Sequence, residues 1–286
     1  MVATKPISIF RILFGLLRAV IGMVAPAGFV AAKPTFPSLT YGPSRPGIAP
    51  LVDVHLPDRP GPRPSVFLVH GGGFVIGHRR MKPVSFLTTR LVNTGFAVAS
   101  IDYRLMFRGG GIEEALADVG EALEWWRDKR KEYSLDPSRV AVMGLSAGAA
   151  LSLLTAARHP GKISQLICFF GLYEFESLGG PLGVLLRQYY LKGEDPAKWS
   201  PLNQATEIPM PLTMLHGTAD TLVPVEQAKE MEMIRRKAKL PTELHLLEGL
   251  PHAFLNQTTH PQTLSAIEIV IGDLFSPPGT DRDNTF

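Results

Sequence analysis

Cysteine is almost absent: the 286 residues contain one, Cys168. A single cysteine excludes an internal disulfide, so it does not report the redox compartment, and no Cys/His spacing suggests a metal site. Charge is sparse as well, with 19% Asp, Glu, Lys and Arg and a net charge of +3. The short basic clusters, Arg235-Arg236-Lys237 and residues 127–131, read as solvated helix faces and not as a nucleic-acid surface. There is no internal repeat and no low-complexity tract. The main glycine run is not followed by the Lys-Ser/Thr pair of a phosphate loop, and it is not a G-x-G-x-x-G.

What is present is a chain with 45% hydrophobic residues, long enough for one large α/β core. Strand-like runs at residues 65–69, 96–101, 139–143, 166–170, 212–216 and 242–247 alternate with helical patterns at 111–131, 147–158, 225–239 and 262–274. That alternation predicts a mostly parallel sheet with helices on both faces. Pro34 to Pro50 reads as an extended connection, Pro57 to Pro64 as a loop or hairpin, and Asp136-Pro137 as a turn or short helix start. Glu248 to Pro251 reads as a strand leading to His252.

Two motifs carry the chemistry. Gly144-Leu145-Ser146-Ala147-Gly148 follows a strand and opens an Ala/Leu-rich helix. G-x-S-x-G alone arises by accident in roughly one chain of this length in ten, so the strand–turn–helix context decides. In that context Ser146 is held on a tight turn with its hydroxyl clear of the sheet, and positions 144 and 148 need residues without a Cβ. The second motif, His70-Gly71-Gly72-Gly73-Phe74, follows the strand 65–69. Successive glycines leave backbone N–H groups unshielded, and such groups bind a developing oxyanion.

With Asp102-Tyr103-Arg104-Leu105, Leu215-His216-Gly217-Thr218-Ala219-Asp220 and Pro251-His252-Ala253-Phe254, these motifs resemble the hormone-sensitive-lipase-like branch of the α/β-hydrolase serine carboxylesterases. The likeness runs from about residue 51 to 275 and is weaker before 40 and within 172–211. The resemblance implies an α/β-hydrolase fold with an eight-stranded, mostly parallel sheet, helices on both faces and a small lid. It also implies the chain order Ser, Asp, His for a catalytic triad. Downstream of Ser146 lie His216, His245, His252 and His260. His216 and His245 sit in strand-like runs and read as structural, His260 falls late, and His252 sits in a loop able to reach the sheet's active edge. Asp220, just beyond a strand's carboxyl end, is the expected acid, with Glu248 the weaker substitute. The oxyanion hole would be the amides of Ala147, Gly72 and Gly73, with His70 and Gly71 shaping the loop. No metal or organic cofactor is called for.

The insertion 172–211 is too long for a plain connection. By resemblance it is a lid whose Phe175, Leu182, Leu186 and Tyr189 line a substrate pocket with Phe74 and Leu145; the other reading is an amphipathic helix packed on the core. Gly179-Gly180-Pro181 would break or hinge it. The domain plan is therefore an apolar helical segment, 1–40, ahead of a catalytic domain, 41–286. Residues 7–32, with Lys5 ahead and Arg18 inside, fit a cap or interfacial helix, a signal peptide, or a membrane span burdened by its arginine.

The expected partner is a small to medium, apolar ester cleaved through an acyl-enzyme, without nucleic acid, and with membrane-surface association through the N-terminal segment. A lipase, a sugar-ester esterase or a formamidase would use the same triad, and an inactive ligand-binding protein of this fold is the alternative of another class. These features do not fix the oligomeric state; a cytoplasmic or membrane-associated location is favoured over export.

Overall fold

The chain forms eight strands: β1 (Phe36–Thr40), β2 (Leu51–His55), β3 (Arg63–Val69), β4 (Ala97–Ile101), β5 (Leu135–Leu145), β6 (Gln165–Phe169), β7 (Leu212–Gly217) and β8 (Thr242–Leu247). The computed structural model describes residues 27–47, 49–178 and 180–279 with positions 15, 17, 19, 21 and 22, and the backbone alone at 180–182. The strands make one sheet in the order β1-β2-β4-β3-β5-β6-β7-β8. β1, β2 and β4 pair antiparallel, and every pairing from β4 through β3 to β8 is parallel.

The central strands are buried on both faces, so they read as continuous apolar runs. Val66 and Leu68 of β3 point to one side, with Val98, Met143 and Ile167 of neighbouring strands. Helices α1 (Lys82–Asn93) and α7 (Pro261–Phe275) cover that side with Phe86, Leu87, Ile267 and Val270. Phe67 and Val69 point the other way, to α2 (Ile112–Asp128), α3 (Ala147–Arg158) and α6 (Val225–Lys237). The period-two alternation of strand side chains divides the core this way. Cys168 lies wholly buried in β6, where burial pushes its thiol up to about 12, so it is not a nucleophile at neutral pH.

Between β6 and β7 the insertion folds into α4 (Gly180–Leu185), a π-helical turn (Leu186–Tyr190), α5 (Pro196–Trp199) and a 3₁₀ stretch (Pro201–Glu207). Two side chains of α6 tie it down. The Gln227 amide oxygen accepts from the N–H groups of Tyr173 (2.9 Å) and Glu174 (3.1 Å), and its nitrogen donates to Ser177 Oγ (2.7 Å). At the far end, fully buried Arg235 donates to the carbonyls of Ala205, Ile208, Met210 and Pro241 and to Thr242 Oγ1.

Four sequence expectations change. Residues 34–50 contain the strand β1; it is an edge strand, which tolerates Pro37 because its outer side needs no ladder donor. Helix α1 adds a helix to the four expected from the sequence, and Pro83 fits its first turn. Asp136 and Pro137 lie within β5, where the β3–β5 register shifts between Leu135 and Val140 and a missing N–H is tolerated. Glu248 to Pro251 is a turn, not a strand, with Gly249 at φ +71°.

Candidate active site

β5 delivers Ser146 to the top of the sheet on a sharp turn into α3, and its backbone sits at φ 53°, ψ −117°. A non-glycine residue at positive φ is strained, and strain of this kind persists only where its surroundings over-determine it. Here the Ser146 amide donates to the Phe169 carbonyl (3.0 Å), and its carbonyl accepts from Ala149 (2.9 Å) and Leu172 (3.3 Å). A Cβ at position 148 would stand 2.3 Å from the Val69 carbonyl oxygen and 2.4 Å from that of His70. Glycine there lets the serine turn lie directly against the glycine loop.

That loop is set by its own carbonyls. His70 Nδ1 donates to the Gly71 carbonyl at 2.6 Å, and the Gly72 carbonyl accepts from Val75 and Ile76 at 3.1 Å each. In a planar trans peptide the N–H points opposite to the preceding carbonyl. The amides of Gly72 and Gly73 are therefore turned away from those partners. His70 is buried, which pushes its imidazole down to about 4 and keeps it a neutral donor. Tyr103 stacks on it (4.3 Å between centroids) and donates its hydroxyl to the His70 carbonyl at 2.9 Å. The loop's exit is fixed by Arg79, whose amide donates to Asp102 Oδ1 (2.7 Å) and whose guanidinium bonds Asp102. Arg80 pairs with buried Asp53. The Asp-Tyr-Arg-Leu stretch thus contributes through Asp102 and Tyr103, roles its letters did not disclose.

Two turns lock together to bring the remaining groups to Ser146. Thr218 N donates to Leu247 O and Ala219 N to Leu250 O, both at 3.0 Å, while Gly249 N donates to Thr218 Oγ1 at 2.8 Å. The turn after β7, carrying Asp220, is so bound to the turn after β8, carrying His252. The structure sets His252 Nε2 2.9 Å from Ser146 Oγ, and His252 Nδ1 2.7 Å from Asp220 Oδ2. Phe170 packs its ring against His252 at 5.0 Å. Burial by itself opposes ionisation of Asp220, but the charge on His252 and hydrogen bonds from His216 and His252 outweigh it. Together they hold the carboxyl well below its ordinary value. His245 lies in β8 and His260 precedes α7.

Ser146 and His252 open into a cavity of about 360 Å³. Its lining is apolar: Phe74, Leu145, Ile76, Met81, Phe170, Leu172, Leu178, Leu185, Leu186 and Val223, with Gly71, Gly72, Gly73 and Ala147 beside the serine. Among the described residues the lining includes no Asp, Glu, Lys or Arg. Two expected pocket residues lie elsewhere. Phe175 is buried behind the wall, stacked on Phe74 at 5.8 Å, and Tyr189 is 57% exposed on the outer side of the π-helical turn. Gly179 and the side chain of Leu182 fall outside the described residues.

Sequence reasoning missed Ala19, which lines the cavity from helical residues of the N-terminal segment. Its carbonyl receives Asn256 Nδ2 at 3.4 Å, and the Gly22 carbonyl receives Lys82 Nζ at 3.1 Å. Lys5, Arg11, Arg18 and most of residues 1–26 fall outside the described set. Among the described residues no helix is long and apolar enough to cross a membrane. Glu243, His245 and Asp273 bring three metal-type ligand atoms within 4.8 Å of one another, but none lines the cavity, and Asp273 accepts from Thr213 Oγ1 at 2.7 Å.

A mostly parallel eight-stranded sheet, a serine on a strand–helix turn and an Asp–His pair beyond the next strand ends define an α/β-hydrolase. Residues 52–234 match the BD-FAE family, and the chain belongs to it, within the hormone-sensitive-lipase-like branch. The chain is 28% identical over 244 residues to the probable carboxylic ester hydrolase LipM of Mycobacterium tuberculosis, covering 77% of this chain and 56% of LipM. It is 27% identical over 236 residues to the isoprenylcysteine alpha-carbonyl methylesterase ICME of Arabidopsis thaliana, covering 71% of this chain and 54% of ICME. It thus spans little more than half the length of these curated relatives. An inhibited esterase B from Lactobacillus rhamnosis superposes with a TM-score of 0.77 at 17% identity, covering 92% of this chain and 93% of that one.

Proposed function

We propose that this protein is a serine carboxylesterase acting on small to medium, uncharged, apolar esters. The observation that carries the proposal is the hydrogen-bonded line from Ser146 Oγ through His252 to Asp220 Oδ2, opening into an apolar cavity. Ser146 attacks the ester carbonyl as His252 Nε2 takes its proton, and Asp220 stabilises the imidazolium. The amides of Gly72, Gly73 and Ala147 receive the oxyanion. His252 returns the proton to the leaving alcohol, then activates water to release the acid. The names of LipM and ICME, both ester hydrolases, support the reaction class. A wall without charged side chains disfavours charged substrates, because an unpaired ion there would lose its hydration.

The insertion 172–211 acts as the lid, with Leu178, Leu185 and Leu186 over the acyl or alcohol group. The N-terminal helical residues act as a second cap through Ala19, and their outer Leu17 and Ile21, 57% and 55% exposed, suit contact with a lipid surface.

The test is a series of p-nitrophenyl esters from acetate to palmitate. Highest kcat/KM is expected between butyrate and octanoate, and the Ser146→Ala chain should hydrolyse none of them. Equal rates for the two chains would end the proposal. A chain lacking residues 1–32 should shift the preferred acyl length or lose binding to phospholipid vesicles; no change in either would remove the cap and the lipid contact together.

Gly72→Ala tests the oxyanion loop. Position 72 has φ +116°, and a Cβ there would stand 1.8 Å from the Ile76 carbonyl oxygen, so the loop must move. Loss of kcat of about 10²-fold, the cost of one oxyanion donor, is expected from steady-state kinetics with little change in KM.

A further inference from the structure

His216, the penultimate residue of β7 and four residues before Asp220, is fully buried and has no part in the reaction steps above. Its Nε2 stands 3.0 Å from Asp220 Oδ2 and 3.1 Å from the Val223 carbonyl oxygen. Both are acceptors, so Nε2 carries the proton. Nδ1 is buried without a partner among the described residues. The ring's contact with these two acceptors is therefore made through the Nε2 N–H alone.

Four N–H groups surround the Asp220 carboxylate. Oδ1 accepts from the amides of Leu222 and Val223 at 2.9 Å each, Oδ2 accepts from His252 at 2.7 Å, and His216 Nε2, whose one N–H is shared with the Val223 carbonyl, lies 3.0 Å from Oδ2. The two backbone amides fix one oxygen. Because the carboxylate is rigid, those amides also limit its rotation, but at the other oxygen His216 is the one hold besides His252, the group that oxygen has to orient.

We infer that His216 is a positioning residue for ester hydrolysis: it fixes the Asp220 oxygen that orients His252, and it draws off part of that oxygen's charge. This rests on the triad proposed above. The titratable groups acting on Asp220 are His252 and His216 themselves.

The experiment compares His216→Phe, His216→Gln and Asp220→Asn in the full chain. Phenylalanine keeps a ring but removes the donor; glutamine keeps an N–H the same number of bonds from Cβ. For His216→Phe, kcat is expected to fall by up to about 100-fold with KM within about twofold, the scale of a misplacement of about 1 Å in a catalytic group. Removing a donor returns charge to the bond with His252, favours the imidazolium, and moves the acid limb of kcat/KM to higher pH. His216→Gln should recover most of kcat and the original limb. The inference fails if His216→Phe keeps the parent's kcat and limb, whatever its melting temperature, or if His216→Gln is as impaired as His216→Phe. Failure of the triad itself would show separately, as an Asp220→Asn chain that turns over normally.

Discussion

His252→Ala is expected to lower kcat by about 10⁶-fold, the scale on which removal of a triad base acts in a serine hydrolase. Ser146 Oγ has no other imidazole at hydrogen-bond distance among the described residues. Without the base the hydroxyl keeps its proton, and the leaving alcohol has no acid to protonate it. The fold should be undisturbed, since the locking of the two turns uses backbone groups and Thr218, not His252. Stopped-time ester assays and a thermal melt check both halves. An alanine variant that keeps even a hundredth of the parent rate would show that another group serves as the base. Residual turnover should come from the amides facing the cavity, and it should fall further in the double variant with Gly72→Ala.

Arg235→Ala is expected to destabilise the fold by about 3–5 kcal/mol, because it removes several buried hydrogen bonds to a charged group, each worth roughly 1.5–3 kcal/mol before relaxation. The guanidinium spends its five N–H donors on four carbonyls and one hydroxyl, and burial pulls its proton affinity down to about 10, still cationic at neutral pH. Deleting it leaves those acceptors in a site that water does not reach, and each orphaned group costs roughly 1–3 kcal/mol before relaxation. A chain of this size loses about 2–4 °C of Tm per kcal/mol, so the midpoint should fall by roughly 6 °C or more. Arg235→Lys should fall between, because an ammonium offers three donors in place of five. Urea melts monitored by far-UV circular dichroism would settle the matter; a loss below about 1 kcal/mol would mean that the return of the insertion to the core does not depend on this side chain. Since Arg235 does not line the cavity and bonds only to residues 205–210 and 241–242, kcat at low temperature should change far less than stability.

The parts of the site that could be read from sequence are those whose chemistry is local. The serine turn and the glycine loop announce themselves because tight turns and close backbone approaches exclude a Cβ over three to five consecutive positions. Helix α3 has the bounds expected of it, Ala147 to Arg158, because its Ala/Leu composition agrees with its burial. The edge strand β1 was hidden, since prolines and glycines that a central strand would reject are tolerated at an edge. Tyr189 was placed in the pocket because aromatic residues in an insertion read as a lining; the π-helical turn gives Tyr190 the buried position instead.

His216 marks the other boundary. In the sequence it is one more residue at the end of an apolar run. Only the fold shows that its nitrogen and that of His252, 36 positions later, meet on one carboxylate oxygen. The family, the serine turn, the glycine loop and the alternation of strands and helices are all legible in the order of residues. Each follows from residue types within a few positions of one another, where steric and hydrogen-bonding rules act directly. Which side chains face the cavity, what covers it, and what holds Asp220 in place were decided by tertiary structure, because those contacts depend on turns far apart in the chain being packed against each other.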